Sequence, residues 1–476
     1  MKNIRCSSAA DIFLFPFIHF HVESWRCDMS RKKQFITNTA LLTFSALMLR
    51  AAGMLFQGWL ASRIGSEGIG LYQLSGSVTI LFSVIAVSGV RFAATKLVSE
   101  EAASKYGNIH SIIKYCSVYA AAFGILAFGA LWSLSEPLGF LWVEDARIVL
   151  SLRIASVALP FVALSAVFSG YFTALGRVWK MVLVQTISIA IGIVITILLL
   201  SRTNLTDLKT TCSIITFGNT ASEFLGFLLL LLFYLHELRQ RKPIPMRKSN
   251  PAKRILSAAL PLALSSYTRT GLNTLEHMMI PKGLRLSGLS AEAALSGYGM
   301  IHGMALPVVL FPACLLISLA ELVVPELSHS QARGEIKRIH YIIHQCRRGT
   351  AIYAAVTAIM ILILSDLIAD QIFHTPECAK AIRSLAPLIP VMNLDTVTDG
   401  CLRGLGQQTR VMAINILDAA FGVLFVLLLL PGNGVKGYIQ MIWITEIANF
   451  ILSSYALNQS LRKIRASGFN AEGSDR

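Results

Sequence analysis

The sequence predicts an all-α polytopic membrane protein, with about twelve transmembrane helices in two six-helix lobes related by a parallel pseudo-twofold repeat. Three observations carry this. The chain is 54% hydrophobic and only 14% charged, against about a quarter charged for soluble domains. Apolar runs of bilayer-spanning length, about 20 residues, recur from end to end. One short phrase is written twice, about 230 residues apart.

The apolar runs fall at 40–63, 74–94, 113–134, 149–171, 178–200, 212–235, 255–280, 298–323, 350–369, 381–402, 411–431 and 437–458. The seventh and tenth are the most polar. Residues 1–28 stand apart. Their core DIFLFPFIHFHV is short, broken by Pro16 and two histidines, and lacks a small-residue cleavage site, so it is a poor signal peptide. Met29, followed by SRKKQF, is the more natural beginning, and 1–28 read as an over-extended or disordered N-terminus.

The formal charge of +16 marks topology rather than a nucleic-acid partner. Seven Lys or Arg lie in HELRQRKPIPMRKSNPAKR (236–254), and most others in SRKK, Arg333 to Arg348 and LRKIR. Loops poor in basic residues alternate with them, near Glu136 to Arg147, Leu205 to Lys209 and Gly432 to Lys436. The positive-inside rule then puts both termini in the cytoplasm, and Trp132 and Trp142 at an outer interface. The eight cysteines show neither metal nor disulfide spacing and read as small packing residues.

The repeated phrase sets the domains. GYFTALGR (170–177) matches GCLRGLGQ (400–407), and Pro160, Leu164 and Val167 match Pro390, Leu394 and Val397. The copies end the fourth and tenth spans, an even number apart, so both enter from the same side, as in a parallel repeat. The predicted units are an N-lobe at 29–235, a basic cytoplasmic linker at 236–254, a C-lobe at 255–465 and a tail at 466–476. Facing lobes suit alternating access about a central site; a channel of tandem halves is the plainer alternative.

Ionisable groups inside the spans cost roughly 2.5–3.5 kcal/mol each and usually mark water-filled paths. In the seventh span Ser266, Arg269, Asn273, Glu276 and Ile280 recur every three or four residues, as one helical stripe. Ala46, Arg50, Gly53 and Gln57 share a face of the first span, and Arg91 ends the second. The C-terminal half adds Asp395, Asp399, Asn415, Asp418 and Glu446. Plainer readings are a snorkelling Arg91, an Arg269–Glu276 salt bridge, an Asp399–Arg403 helix pair, and packed His277 and His302. A cationic central cavity is the better single account.

At these residues the chain resembles a known family. The runs NTALLTFSALMLRAAGMLFQGWLASRIGSEGIGLYQL (38–74), VSGVRFAATKLVSEEAA (87–103) and IPKGLRLSGLSAEAALSGYGMIHGMALPVVLFPACLLISLAELVVPELS (280–328) are similar to the stage V sporulation protein B branch of the polysaccharide-exporter flippases. Lipid II flippases and multidrug and toxic-compound extrusion transporters share its superfamily. The resemblance covers nearly everything from Met29 to about Arg465 and specifies the substrate poorly. It implies two six-helix lobes in a V around a cavity, a bacterial cell-membrane location, and export of undecaprenyl-linked glycans or a peptidoglycan precursor, in spore cortex or wall synthesis. In related lipid II flippases arginines line the cavity, and Arg50, Arg91 and Arg269 fall on corresponding helices. Twelve spans rather than fourteen imply that a lipid groove built by extra helices is absent. Glu276 stands where many relatives carry an aspartate.

The expected mechanism is non-enzymatic. Arg50, Arg91 and Arg269 offer forked donors to phosphate oxygens, with Asn273, Glu276 and Gln57 completing the substrate site. No GxxxxGK[ST] loop indicates nucleotide use. No cofactor is expected beyond Na+ or H+ coupling through Glu276, Asp395, Asp399 or Asp418, and no metal. The partners are the lipid-linked glycan, membrane lipid and cell-wall synthases, with a monomer expected. A cation-coupled multidrug antiporter is the alternative, predicting an acid-dominated cavity. A membrane-embedded glycosyltransferase is a third, disfavoured because no loop houses a domain and no nucleophile–base constellation is found.

Overall fold

The computed structural model describes residues 29–103, 109–202, 207–239 and 251–474. The expected N-terminal extension, most of the basic linker and the last two residues of the tail lie outside them. The elements are α1 (Met29–Val87), α2 (Val90–Ala103), α3 (Ile109–Pro137), α4 (Ile148–Ala174), α5 (Val178–Leu200), α6 (Leu208–Arg239), α7 (Pro251–Leu286), α8 (Ala291–Tyr298), α9 (Leu306–Leu310), α10 (Ala313–Ala332), α11 (Ile336–Ile368), α12 (Glu377–Leu385), α13 (Ile389–Gly404) and α14 (Gln408–Ser474). Single π-helical turns follow α3, α8 and α11 at Leu138–Val143, Gly299–Ala305 and Ala369–Phe373. The chain is an all-α membrane protein.

Two of these helices double back. In α1, Gly65 takes φ 67°, a left-handed conformation only glycine adopts freely. Gln57 and Gln73 both reach the Cβ position of Gly303, at 3.6 and 3.4 Å, whereas sixteen residues of unbroken helix would part them by about 24 Å. Likewise Gly434 has φ 56°, and the Cβ position of Gly437 lies 2.5 Å from the Leu429 carbonyl oxygen, where unbroken helix would leave about 12 Å. Among the described residues nine helices are long and apolar enough to cross a bilayer. The seventh and tenth sequence windows are helical, as α7 and α12–α13, but too polar for that test, so twelve crossings stay an expectation.

The repeated phrase has a structural meaning. Gly176 and Gly406 have φ 69° and 72° and close α4 and α13 with the same αL cap. Arg177 N–H donates to the Phe172 carbonyl and Gln407 N–H to that of Leu402, both at 2.9 Å. Upstream, Gly170 packs its missing side chain on Arg91 O and Ala94 of α2, and Gly400 packs on Ala320 of α10. The likeness extends where the sequence shows little. Arg153 Nε donates to Ser135 Oγ at 3.2 Å and Arg383 Nε to Ser365 Oγ at 2.9 Å, and their guanidiniums pair with Glu136 and Asp366. Glu144 and His374 both follow a π turn with φ 57° and 51°. Each of these partners is 230 residues on.

α7 joins the halves along its whole length. At its start Arg254 pairs with Glu100 at 2.9 Å and Glu101 at 2.7 Å. Tyr267 Oη donates to Ser88 Oγ at 2.6 Å and Thr274 Oγ1 to the Ser77 carbonyl at 3.2 Å. Near its end Lys282 and Arg285 meet Glu144 at 3.2 and 2.9 Å. In the same loop Asp145, with Glu67, pushes the Arg147 guanidinium above its ordinary range against the opposing effect of burial. On α7's other side Glu276 and Gly283 pack on Gly422 and Leu430 of α14. A second seam joins α1 to α8 and the turn after it, where Ser66 bonds to Ser296 and Gln57 to the Gly303 carbonyl.

Candidate functional site

The site begins with a broken helix. Ser88 and Gly89 have φ 43° and 71°, so the helix entered at Gly65 stops and restarts as α2. Such strain persists only where neighbours hold it. Here Tyr119 and Tyr267 both bond to Ser88 Oγ, and the Cβ position of Gly89 lies 2.6 Å from the Ala259 carbonyl oxygen of α7. The break turns the first residues of α2, Arg91 among them, onto α7.

Between these elements lies a cavity of about 840 Å³. α1 contributes Gln73 and Ser77, α2 contributes Arg91 and Thr95, and α7 contributes Ser266, Arg269, Asn273 and His277. Arg91 and Arg269 are exposed, and among the described residues neither forms an ion pair. Among the described residues the Arg91 guanidinium makes a long contact, 3.7 Å, to Met181 Sδ. The guanidiniums therefore have open space beside them, which lets water or an anion, rather than lipid, satisfy their donors.

A second cavity, of about 370 Å³, holds Arg50, Gly53 and Gln57, confirming that these three share one face. Ala46, the fourth member, has a side chain outside the described residues. Arg50 also has no ion pair among the described residues, but it does not join Arg91 and Arg269. Gln73 lines both cavities.

Glu276 does not belong to the arginine face. At about 100° per residue, four residues beyond Asn273 brings His277 within about 40° of it, whereas three brings Glu276 about 60° the other way. His277 continues the stripe. Glu276 turns into α14, lining a cavity of about 170 Å³ with Asp418, Glu446, His302 and Tyr438. The plainer reading of the stripe, an Arg269–Glu276 salt bridge, does not form among the described residues. Ile280, the last member of the stripe, is fully buried.

The remaining acids form a row between α13 and the second arm of α14. Asp395 Oδ2 accepts from Asn449 at 2.8 Å, and Asp399 Oδ1 accepts from Ser453 at 3.4 Å. Arg403 stands 3.7 Å from Asp399, the helix pair anticipated from their spacing. Asp418 interacts electrostatically with each of Asp395, Asp399, Glu446 and Glu276, and Arg269 with Asp399 and Asp418. Asn415 bonds back to the Val411 carbonyl. His277 and His302 have ring centroids 4.3 Å apart, with Tyr298 stacked on His302. Among the described residues no three of His, Cys, Asp and Glu close on a metal site.

The structure thus gathers Arg91, Arg269 and Asn273, sets Arg50 and Gln57 next door, and moves Glu276 to the carboxylates. Sequence reasoning missed Gln73, Tyr72 and Asn219, neutral groups inside apolar runs that carry no charge signal. It also missed Glu223, a lone acid in the middle of α6, which hydropathy counting could have found.

Comparison with known proteins agrees with the fold. The family described as polysaccharide biosynthesis protein matches residues 35–318. Stage V sporulation protein B of Bacillus subtilis (strain 168) is 22% identical over 422 residues, covering 85% of this chain and 80% of that protein. Among solved structures, an inward-facing multidrug resistance MATE family transporter of the MOP superfamily has TM-score 0.68 at 14% identity, covering 90% of this chain and 98% of that one. The lipid II flippase MurJ in an inward closed conformation also has TM-score 0.68, at 12% identity, with 91% of each chain covered.

Proposed function

The chain belongs to the polysaccharide biosynthesis protein family, and from that premise we propose that it flips a lipid-linked glycan from the cytoplasmic to the outer leaflet of a bacterial cell membrane. The observation that carries this is the pair of guanidiniums, Arg91 and Arg269, neither in an ion pair among the described residues, facing one cavity between the lobes. The phosphate end of the lipid docks on them through charge-assisted, fork-shaped hydrogen bonds. The hydrocarbon tail stays in the bilayer beside the gap between lobes, and their rocking exposes the headgroup outside. No chemical step is needed. Carrying about two negative charges out of a negative interior gains roughly 4.6 kcal/mol per 100 mV, at ~2.3 per charge.

The carboxyl set supports a second element of this reading. Glu276, Asp418 and Glu446 share a small cavity, with Asp395 and Asp399 in the row beside it, and Arg269, which lines the arginine cavity, lies in the field of Asp399 and Asp418. A proton or sodium ion held there is coupled to headgroup binding through Arg269. The same acids also favour a rival reading, cation-coupled drug extrusion, in which they would hold the cargo.

Thermal unfolding of the purified protein with added ligand separates the two. Undecaprenyl pyrophosphate is expected to raise Tm, since a ligand that binds only the folded state stabilises by about 2.7 kcal/mol at a hundred times Kd. Stabilisation by cationic dyes and none by the polyprenyl lipid would reverse the assignment.

A further inference from the structure

The second cavity differs in kind from the first. It is walled by α1, α5 and α6, and its polar groups are Gln57, Tyr72, Gln73, Asn219 and Ser222, with Arg50 the one formal charge in the lining. Glu223, next along α6, is not part of that lining. Phe56 and Ile193 supply apolar faces. Neutral amides are unfavourable in an apolar span unless paired. Asn219 donates to Tyr72 Oη at 3.0 Å, which uses one of its two amide hydrogens, and among the described residues its carbonyl oxygen accepts no hydrogen bond. Ring faces flanked by amide and hydroxyl groups suit a hydroxyl-rich ligand, and the Arg50 guanidinium can donate to hydroxyl oxygens as it can to an anion. A volume of about 370 Å³ falls within the usual 300–1,000 Å³ of small-molecule sites.

Position strengthens the argument. Gln73 lines both cavities, so the two adjoin, and a ligand with its anion on Arg91 and Arg269 has the second cavity next to it. Pro307 of α9 also lines it, and Gln57 bonds to Gly303 across the seam, so its wall includes both lobes.

We propose that this cavity takes the uncharged sugar adjoining the phosphate of the lipid-linked substrate, and that Asn219, Ser222 and Tyr72 determine which sugar is accepted. The proposal rests on the flippase reading and extends it from the class of cargo to its recognition. Sites built to hydrogen-bond a hydroxyl can reject analogues lacking it by factors of roughly 10⁴–10⁵, whereas the arginines bind any polyprenyl pyrophosphate.

The experiment compares the affinity of detergent-purified full chain for undecaprenyl pyrophosphate and for the same lipid carrying a disaccharide. Asn219→Leu is expected to bind the glycosylated lipid at least tenfold more weakly and the bare lipid as wild type does, while Arg269→Ala weakens both. Should Asn219→Leu unfold, Ser222→Ala decides by the same criterion. Equal losses for the two lipids, or no loss for either, would overturn the assignment. Wild-type protein that binds both lipids equally would overturn this inference alone; wild-type protein that binds neither would overturn the flippase reading and this inference with it.

Discussion

Replacing Arg269 by alanine removes a guanidinium that lines the cavity of about 840 Å³ and forms no ion pair among the described residues. A hydrogen bond to a charged group is worth about 1.5–3 kcal/mol net, so losing it from a bound pyrophosphate costs about 10- to 150-fold in Kd, at 1.4 kcal/mol per decade. Folding should suffer little, because the side chain is exposed to the cavity and a cation at that depth is itself unfavourable by roughly 2.5–3.5 kcal/mol. The paired measurement is Kd for undecaprenyl pyrophosphate together with Tm of the apo protein. The expected result is weaker binding with Tm unchanged or raised. A structural role predicts the reverse, since Arg269 lies in the field of Asp399 and Asp418. Wild-type affinity with Tm lowered, and recovery of that Tm on adding Asp418→Asn, would refute the reasoning.

Other outcomes follow from the packing. Gly400→Ala puts a Cβ 2.6 Å from that of Ala320 and should cost about 1–3 kcal/mol by overpacking, read as a lower Tm. Gly406→Ala meets nothing within 4 Å, so only its φ of 72° opposes it, and the cost should stay near ~1–2 kcal/mol; a larger fall would mean the cap is not the reason for the glycine. Glu144→Gln removes the partner of Lys282 and Arg285, pairs that are partly exposed and worth about 0–1 kcal/mol. Its stability effect should vanish in high salt, checked by unfolding at two ionic strengths. Arg153→Ala and Arg383→Ala should lower Tm by similar amounts, since the two arginines make matching contacts.

Hydropathy made the fold legible, because a bilayer tolerates few alternatives to the helix. The shared Gly170 and Gly400 were legible too, since close approach to α2 and α10 admits no side chain and so leaves a glycine in both copies. Matching contacts such as Arg153–Ser135 and Arg383–Ser365 escaped notice because pairing between helices depends on which faces meet. The candidate site was only half legible. Charges in apolar runs pointed to Arg50, Arg91 and Arg269, but helical spacing alone could not divide them between two cavities. Glu276 fell three residues from Asn273 and seemed part of its stripe, whereas the 3.6-residue turn gives that place to His277. The groups that complete the second cavity, Tyr72, Gln73, Asn219 and Ser222, left no trace, since amides and hydroxyls look ordinary beside leucines.

The most direct test of the central claim is a quenching assay in vesicles containing the full chain and a fluorescent undecaprenyl-pyrophosphoryl disaccharide placed in one leaflet. The account predicts that an impermeant quencher on the opposite side extinguishes the lipid over time with wild-type protein, and does so far more slowly with Arg91→Ala and Arg269→Ala combined. Quenching no faster than in protein-free vesicles, or equally fast with both arginines gone, would contradict it.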